Sequence, residues 1–256
     1  ETAAPPSPVD PGEAWVVAAA GAEREVSPAA AGVEAPVYAT RLPPPFRWQF
    51  GLKRGIVSGK GVLDWQRDGA GYRLSLEGTV GGLPLLEWVS QGLVDAHGVA
   101  PERFVVRQVG RAARAANFQR SAGKISYSSS DAEHPLLPGA QDRLSWVVQI
   151  AGVVAAAPQR FAASGAQIHF AVSGVRGDVG LWTFESHGMQ RVDTPSGRVD
   201  AIELRREAKR AFDTRGEVWL DPQRHHLPVK LVLSTIGRNG EVTDALTLLL
   251  ENTAGR

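Results

Sequence analysis

The sequence predicts a mostly β domain, an antiparallel meander curled into an open or spiral β-barrel with one main α-helix against its interior. Three observations predict this fold. Apolar and polar residues alternate along many short runs, turn-forming residues separate the runs, and one segment has helical periodicity instead. Alternation places one face of a strand on a core and the other toward water, whereas helical spacing places apolar side chains along one side of a helix.

The first 45 residues differ from the remainder, because they hold nine of the 17 prolines, separated largely by alanine. Such a segment buries too little apolar surface to offset the entropy of ordering it, and its prolines favour extended geometry. We interpret residues 1–45 as a largely disordered leader or tether that spaces a domain from a membrane. The alternative is a poorly ordered terminus without a role. Residues 13–20 are apolar enough to form a short docked strand or helix.

From Phe46 onward the pattern has a period of two. Turn signals such as Asp68-Gly69 and Asn239-Gly240 recur about every ten residues and favour tight hairpins. We predict about twelve or thirteen strands in a single β-barrel-like domain over residues 46–256. So many strands in one sheet usually curl or close. The clearest alternating runs begin at Phe46, Tyr72, Ile202, Val229 and Leu246.

Residues 141–157 are predicted to form the main helix. Pro138 and Gly139 precede the segment, and Pro158 is expected to stop it. Apolar residues form a stripe along one side of this helix, and the stripe must pack against an apolar surface, which a curved sheet supplies. Its apolar residues fall at i, i+3, i+4, i+7 and i+10 and are Leu144, Val147, Val148, Ala151 and Val154.

Bulk composition excludes several functional classes. The net charge is +1, from 28 basic and 27 acidic residues, whereas nucleic-acid-binding domains usually carry a strong basic excess. The absence of cysteine excludes disulfides, thiolate zinc sites and thiol nucleophiles. No apolar run reaches the length of about 20 residues that a transmembrane helix needs.

Motifs for common catalytic sites are absent from the sequence. It contains no G-x-S-x-G nucleophile elbow and no H-E-x-x-H zinc motif. Gly59-Lys60 is followed by Gly61 rather than Ser or Thr, so the Walker pattern fails. We therefore predict no catalytic residue, cofactor or metal, with an uncharacterised hydrolase as the minor alternative.

Three segments resemble a known family. They are PGAQDRLSW at 138–146, VDTPSGRVDA at 192–201, and FDTRGEVWLDP at 212–222, which continues as HHLPVK at 225–230. Together they resemble the uncharacterised domain family numbered 3108, known from proteobacterial envelope proteins. The likeness covers roughly residues 46–250 and leaves the leader outside, and its third segment is the most specific.

The resemblance implies a periplasmic location and an open or spiral β-barrel. Related uncharacterised envelope families look similar to the lipoprotein carriers of the periplasm, which bind acyl chains in a half-barrel. No catalytic residue comes with the resemblance, and a shared fold does not by itself define a function.

The candidate ligand-binding residues are aromatic and basic. Tryptophans can line a cavity for an apolar ligand, or they can fill the core of the barrel. Arg143 and Arg215 either meet an anionic head group at a cleft mouth or form ion pairs that pin the helix to the sheet. The predicted ligand-binding set is Trp65, Trp88, Trp146, Trp182, Trp219, Arg143 and Arg215.

Two further patterns have alternative interpretations. His225-His226 is a poor metal site, and we predict a turn with one packed and one exposed histidine. A basic stretch either meets lipid head groups or another acidic surface, or is the solvated face of a hairpin. This stretch consists of Arg103, Arg107, Arg111, Arg114 and Arg120.

We interpret the chain as a periplasmic, non-enzymatic binding module that carries or senses an apolar or amphipathic envelope ligand such as a lipid. A membrane tether would lie in a segment before residue 1. The alternative is an envelope scaffold that binds protein partners or the cell wall through its outer face. Nucleic acid is not an expected partner.

Overall fold

The computed structural model describes residues 36–253. Fifteen strands form one sheet in this range, in the order β8-β7-β6-β5-β4-β3-β2-β1-β15-β14-β13-β12-β11-β10-β9. They are β1 (Phe46–Arg54), β2 (Val57–Asp68), β3 (Gly71–Val80), β4 (Leu83–Asp95), β5 (Gly98–Gln108), β6 (Arg111–Gln119), β7 (Lys124–Tyr127), β8 (Glu133–Pro135), β9 (Gln141–Asp142), β10 (Ser164–Ser173), β11 (Val179–Thr194), β12 (Gly197–Arg206), β13 (Thr214–Asp221), β14 (Leu227–Ile236) and β15 (Val242–Asn252).

The predicted mostly β fold and antiparallel meander are confirmed. Each strand pairs antiparallel with its chain neighbour from β1 to β8 and from β10 to β15, and β15 pairs with β1 to join the two halves. β9 pairs parallel with β10. The sheet has more strands than predicted, partly because β8 and β9 have three and two residues, too few to show alternation.

The sheet is open, because its edge strands β8 and β9 lie at opposite ends of the strand order. Side chains nevertheless bring the two ends together. The Tyr127 hydroxyl lies 2.8 Å from Oγ of Ser173, and Nε2 of His134 lies 2.9 Å from the carbonyl oxygen of Gly177. The sheet therefore curls into a barrel-like shape, and these polar contacts join its two ends where no strand pairing does.

Two helices follow β9: α1 (Trp146–Ala156) and α2 (Pro158–Ala162). The main helix begins later than predicted, because Gln141 and Asp142 pair with β10 instead of entering it. Pro158 does not simply stop the helix but occupies the first turn of α2, where its missing N–H removes no hydrogen bond.

α1 lies inside the curled sheet and is buried on every side, not along one stripe. All residues from Trp146 to Ala155 are buried. All of them except Gln149 are small or apolar, and the side-chain amide of Gln149 is hydrogen-bonded to the backbone of His97 and Val99. No helix in residues 36–253 is long and apolar enough to cross a bilayer.

Residues 36–45, which we call the strap, pack against α1, β2 and β10. They have no regular secondary structure. The Tyr38 ring meets Phe170 of β10 edge to face at 6.0 Å, and the Pro43 carbonyl accepts a 3.2 Å hydrogen bond from Nε1 of Trp65. The end of the predicted leader thus belongs to the folded unit. Residues 1–35, including the predicted docked piece at 13–20, lie outside the described residues.

Candidate ligand-binding groove

A groove of about 320 Å³ opens where the strap meets the first strands of the sheet. We call it the aromatic groove. It lies at the end of the sheet where β1 and β14 begin and β2 finishes. Its apolar walls are Pro44, Pro45, Phe46, Trp48, Trp65 and Leu227.

Strand register brings the aromatic rings together. Phe46 and Trp48 are two residues apart on β1 and so share a face, and their ring centroids are 5.3 Å apart. Phe46 is paired with Trp65 on β2. Because the strap carbonyl of Pro43 satisfies the indole N–H of Trp65, the buried ring presents apolar surface to the groove.

The rim of the groove is polar. Nη1 of Arg47 donates a 2.5 Å hydrogen bond to Oδ2 of Asp64, and Nε2 of Gln66 lies 3.3 Å from both carboxylate oxygens. The Arg47 side chain remains 49% exposed. The groove can therefore accept an apolar body while the ion pair of half-exposed Arg47 with Asp64 stands at its edge.

His225 lines the groove, and His226 packs beneath it. Both residues have left-handed backbone conformations after the 3₁₀ turn Pro222–Arg224, with φ of 55° and 57°. Burial lowers the pKa of His226. The predicted turn with one packed and one exposed histidine is confirmed. Within residues 36–253, no group of three or more His, Asp or Glu side chains is arranged to hold a metal ion.

The interior around α1 is packed with side chains. A cavity beside Trp88 and Trp146 measures about 20 Å³, which is room for about one water molecule. Trp146 stacks on Phe184 at 4.9 Å and lies 5.9 Å from Trp182, measured between ring centroids. These tryptophans therefore act as core residues here, and Trp65 alone of the predicted set borders the aromatic groove.

Two arginines pack against the Trp182 ring. The guanidinium carbons of Arg143 and Arg206 lie 4.7 and 4.6 Å from its centroid. Arg143 donates to Asp178 at 2.7 Å, and Arg206 donates to Asp213 at 2.9 Å. Burial acts to raise the pKa of Asp213, but the hydrogen bond and charge of Arg206, together with backbone hydrogen bonds from Lys209 and Thr214, outweigh it and lower the pKa. Arg143 thus links the turn before α1 to the β10–β11 connection.

Trp219 and Arg215 lie apart from the tryptophans around α1, although Trp219 is itself buried, with 9% of its surface exposed. Trp219 alternates with fully buried Val218, so it faces the outer side of β13, where Nζ of Lys230 lies 4.2 Å from its ring centroid. Arg215 pairs with Glu207 at 3.0 Å and is partly exposed. The structure does not bring these two residues to the other predicted ligand-binding residues.

A buried carboxylate fixes the start of α1. Oδ1 of Asp142 accepts hydrogen bonds from the backbone N–H groups of Leu144 and Ser145 at 2.8 and 2.7 Å. Its Oδ2 accepts from Oγ of Ser90 at 2.5 Å, and Ser90 lies 2.7 Å from the Tyr72 hydroxyl. Burial raises the pKa of Asp142 to about 6, although these hydrogen bonds act to lower it. This network joins α1 to β3 and β4.

Trp48 was one of the tryptophans that the sequence offered as cavity-lining residues, but it was not in the predicted ligand-binding set. Phe46 was predicted only as the start of a strand. The available signal was two aromatic rings on one strand face directly after Pro43, Pro44 and Pro45, since a proline-rich segment cannot continue the sheet over them.

The fold is similar to that of a solved β-barrel-like protein from Brucella abortus, of the domain of unknown function DUF1849. The two chains share 15% identity with a TM-score of 0.50, and the match covers 83% of this chain and 97% of the other. A crystal structure of MucB also matches, at 13% identity and a TM-score of 0.30, over 95% of this chain and 59% of that one.

No curated protein matches the chain. The sequence profile of one family, described as a protein of unknown function (DUF3108), matches residues 46–241. This range includes the strands that form the aromatic groove and all of α1. The chain belongs to the DUF3108 family.

Proposed function

We propose that the protein is a non-enzymatic binding module of the periplasm that carries or senses an apolar or amphipathic envelope ligand in the aromatic groove. The observation that carries the proposal is the groove of about 320 Å³ walled by Phe46, Trp48 and Trp65. Sites for small ligands typically measure about 300–1,000 Å³ and are lined by apolar and aromatic side chains around a few polar groups. The periplasmic location is carried over from the family resemblance.

The groove is a better candidate than the barrel interior. The interior cavity of about 20 Å³ is too small for an acyl chain unless α1 leaves its place. Burial of apolar ligand surface, at about 25 cal/mol per Å², would drive binding in the groove. Arg47 at the rim would favour a ligand with an anionic end.

Quenching of tryptophan fluorescence by dibrominated stearic acid tests the proposal, because bromine quenches only nearby indoles. We expect saturable quenching of the full chain, a clear loss of quenching in Trp48→Phe, and retained binding of stearic acid by that variant in calorimetry. Trp219→Phe is the matched control, since Trp219 lies on the outer face of β13 and its replacement should leave the quenching unchanged.

Three results would contradict the proposal. One is an absence of saturable quenching in the unmodified protein. Another is an equal loss of quenching in Trp48→Phe and Trp219→Phe. The third is preferential loss in Trp88→Phe, which would place the fatty acid beside α1 and refute the groove as its site.

A further inference from the structure

Four exposed apolar side chains lie at one end of the sheet, opposite the aromatic groove. They occupy or adjoin the β1–β2, β3–β4, β5–β6 and β14–β15 turns. We call this row the apolar rim. Its members Ile56, Leu83, Val109 and Val242 are 101, 70, 64 and 52% exposed.

The meander explains why these turns form a row. Successive hairpins of an antiparallel sheet point alternately to its two ends, and these four follow one another in the strand order from β6 to β14. Adjacent turns are two strands apart, or about 10 Å. The other exposed large apolar side chains of the described chain, Val37, Leu93 and Met189, lie in the strap, β4 and β11, away from these four turns.

Basic side chains surround the apolar rim. They lie near the four turns or in the adjoining β10–β11 connection, and all are at least partly exposed. They are Lys53, Lys60, Arg111, Arg114, Arg176 and Arg238. The exposed acidic side chains near them are Glu77, Asp131, Glu241 and Glu251, and the Glu251 carboxylate lies beside Gly51, the cross-strand partner of Lys60. Glu87 is paired with Arg107 at 3.0 Å.

Arg176 lies in the β10–β11 connection, where the two ends of the sheet meet. The pKa of Arg176 is lowered by partial burial and by the positive charges of Arg114 and Arg111, while the carboxylate of Asp178 acts to raise it. The three arginines therefore lie within electrostatic reach of one another, and Asp178 offsets part of their positive charge. The predicted basic stretch thus contributes Arg111 and Arg114 to this end of the molecule.

We infer that the apolar rim docks on the surface of an anionic lipid bilayer. Isolated exposed apolar residues are ordinary, but a row of them bordered by Lys and Arg matches the headgroup region, where apolar tips enter the acyl boundary and cations meet phosphates. Docking in this way would direct the aromatic groove away from the bilayer. The inference does not depend on the function proposed for that groove.

Co-sedimentation of the full chain with lipid vesicles tests the inference. We expect binding to vesicles of phosphatidylcholine mixed with phosphatidylglycerol, little binding to phosphatidylcholine alone, and weaker binding at high salt because salt screens exposed charges. The double variant Ile56→Ser, Leu83→Ser should bind about tenfold more weakly, as should Lys53→Glu, Lys60→Glu.

Met189→Ser is the matched control, because it removes an exposed apolar side chain from β11, outside the rim. It should bind like the unmodified protein, and unchanged circular dichroism should show that every variant is folded. Failure of the unmodified protein to bind anionic vesicles would overturn the inference, even if the rim cross-links to a protein partner. Equal losses in the rim variants and Met189→Ser would also overturn it.

Discussion

The backbone N–H of Arg41 donates a 2.9 Å hydrogen bond to the carbonyl oxygen of Gly152 in the middle of α1. This contact joins the strap to the helix. A Cβ atom at position 152 would lie only 2.7 Å from Cδ2 of Leu42, so the absence of a side chain lets the strap approach. The strap is thereby held against the middle of α1.

Gly152→Leu should displace the strap, because its side chain would occupy the place of Leu42. We expect a loss of about 1–3 kcal/mol in the free energy of unfolding, as for overpacked sites. Limited trypsin digestion should show faster cleavage after Arg41. Ala112→Leu, on an exposed position of β6, is the control. Equal digestion of Gly152→Leu and the unmodified protein would contradict the contact.

Val148→Asp tests the burial of α1. Val148 is fully buried, so an aspartate there would be an unpaired charge within the core, and we expect a loss of at least about 3 kcal/mol in the free energy of unfolding. Gln159→Asp lies at an exposed position of α2 and should change the free energy of unfolding little. Thermal melting followed by circular dichroism compares the two, and an unchanged midpoint for Val148→Asp would refute the docking of α1.

Asp142 predicts a pH dependence of stability. Its folded-state pKa is about 6, above the value of about 3.9 expected in the unfolded chain. The folded state therefore binds the proton of Asp142 more tightly than the unfolded chain does. The resulting gain in the free energy of unfolding is fully present below a pH of about 4 and is lost as the pH rises through about 6.

Urea unfolding across this pH range measures the effect. The free energy of unfolding of the unmodified protein should fall by up to about 3 kcal/mol relative to that of Asp142→Asn between these limits. Ser90 and Tyr72 can reverse their hydrogen bond to suit an amide at position 142. If the difference in the free energy of unfolding between the two proteins stays constant with pH, the raised pKa of Asp142 is contradicted.

A double-mutant cycle on Arg143 and Asp178 tests whether the pair stabilises the turn before α1. Arg143→Met leaves the mostly buried Asp178 without its cation, so we expect a loss of about 3–5 kcal/mol. Because the two groups are in contact, adding Asp178→Asn should restore part of this loss, with a coupling of at least about 1 kcal/mol. Additive losses in urea unfolding would show that the pair is not coupled.

Strand periodicity predicted the class of fold and its meander because alternation is a local property of the chain. The alternation of Phe46, Trp48 and Phe50 predicts a strand with one buried face, and this prediction does not depend on what the strand packs against. The turn after Asp221-Pro222 was predictable for the same reason. The aromatic groove was not, because its wall combines β1, β2, the β13–β14 turn and the strap, and one sequence carries no distances between them.

Arg143 shows the same difference between what a local pattern predicts and what depends on distant segments. The sequence predicted that Arg143 meets an anionic head group or forms an ion pair, but it did not name the partner. The folded chain pairs Arg143 with Asp178, 35 positions away, whereas its neighbour Asp142 bonds the backbone ahead of α1. Which partner an arginine meets depends on how the sheet curls, since that curl brings the β10–β11 connection beside the helix.

The sequence by itself determined that this protein is a curled antiparallel sheet with one helix, because residue spacing decides which faces must leave water. Only the tertiary structure decided that the helix fills the interior, that the strap closes over Gly152, and that an aromatic groove and an apolar rim lie at opposite ends. Those features depend on the sum of strand twists and on contacts between distant segments, neither of which is set by local pattern.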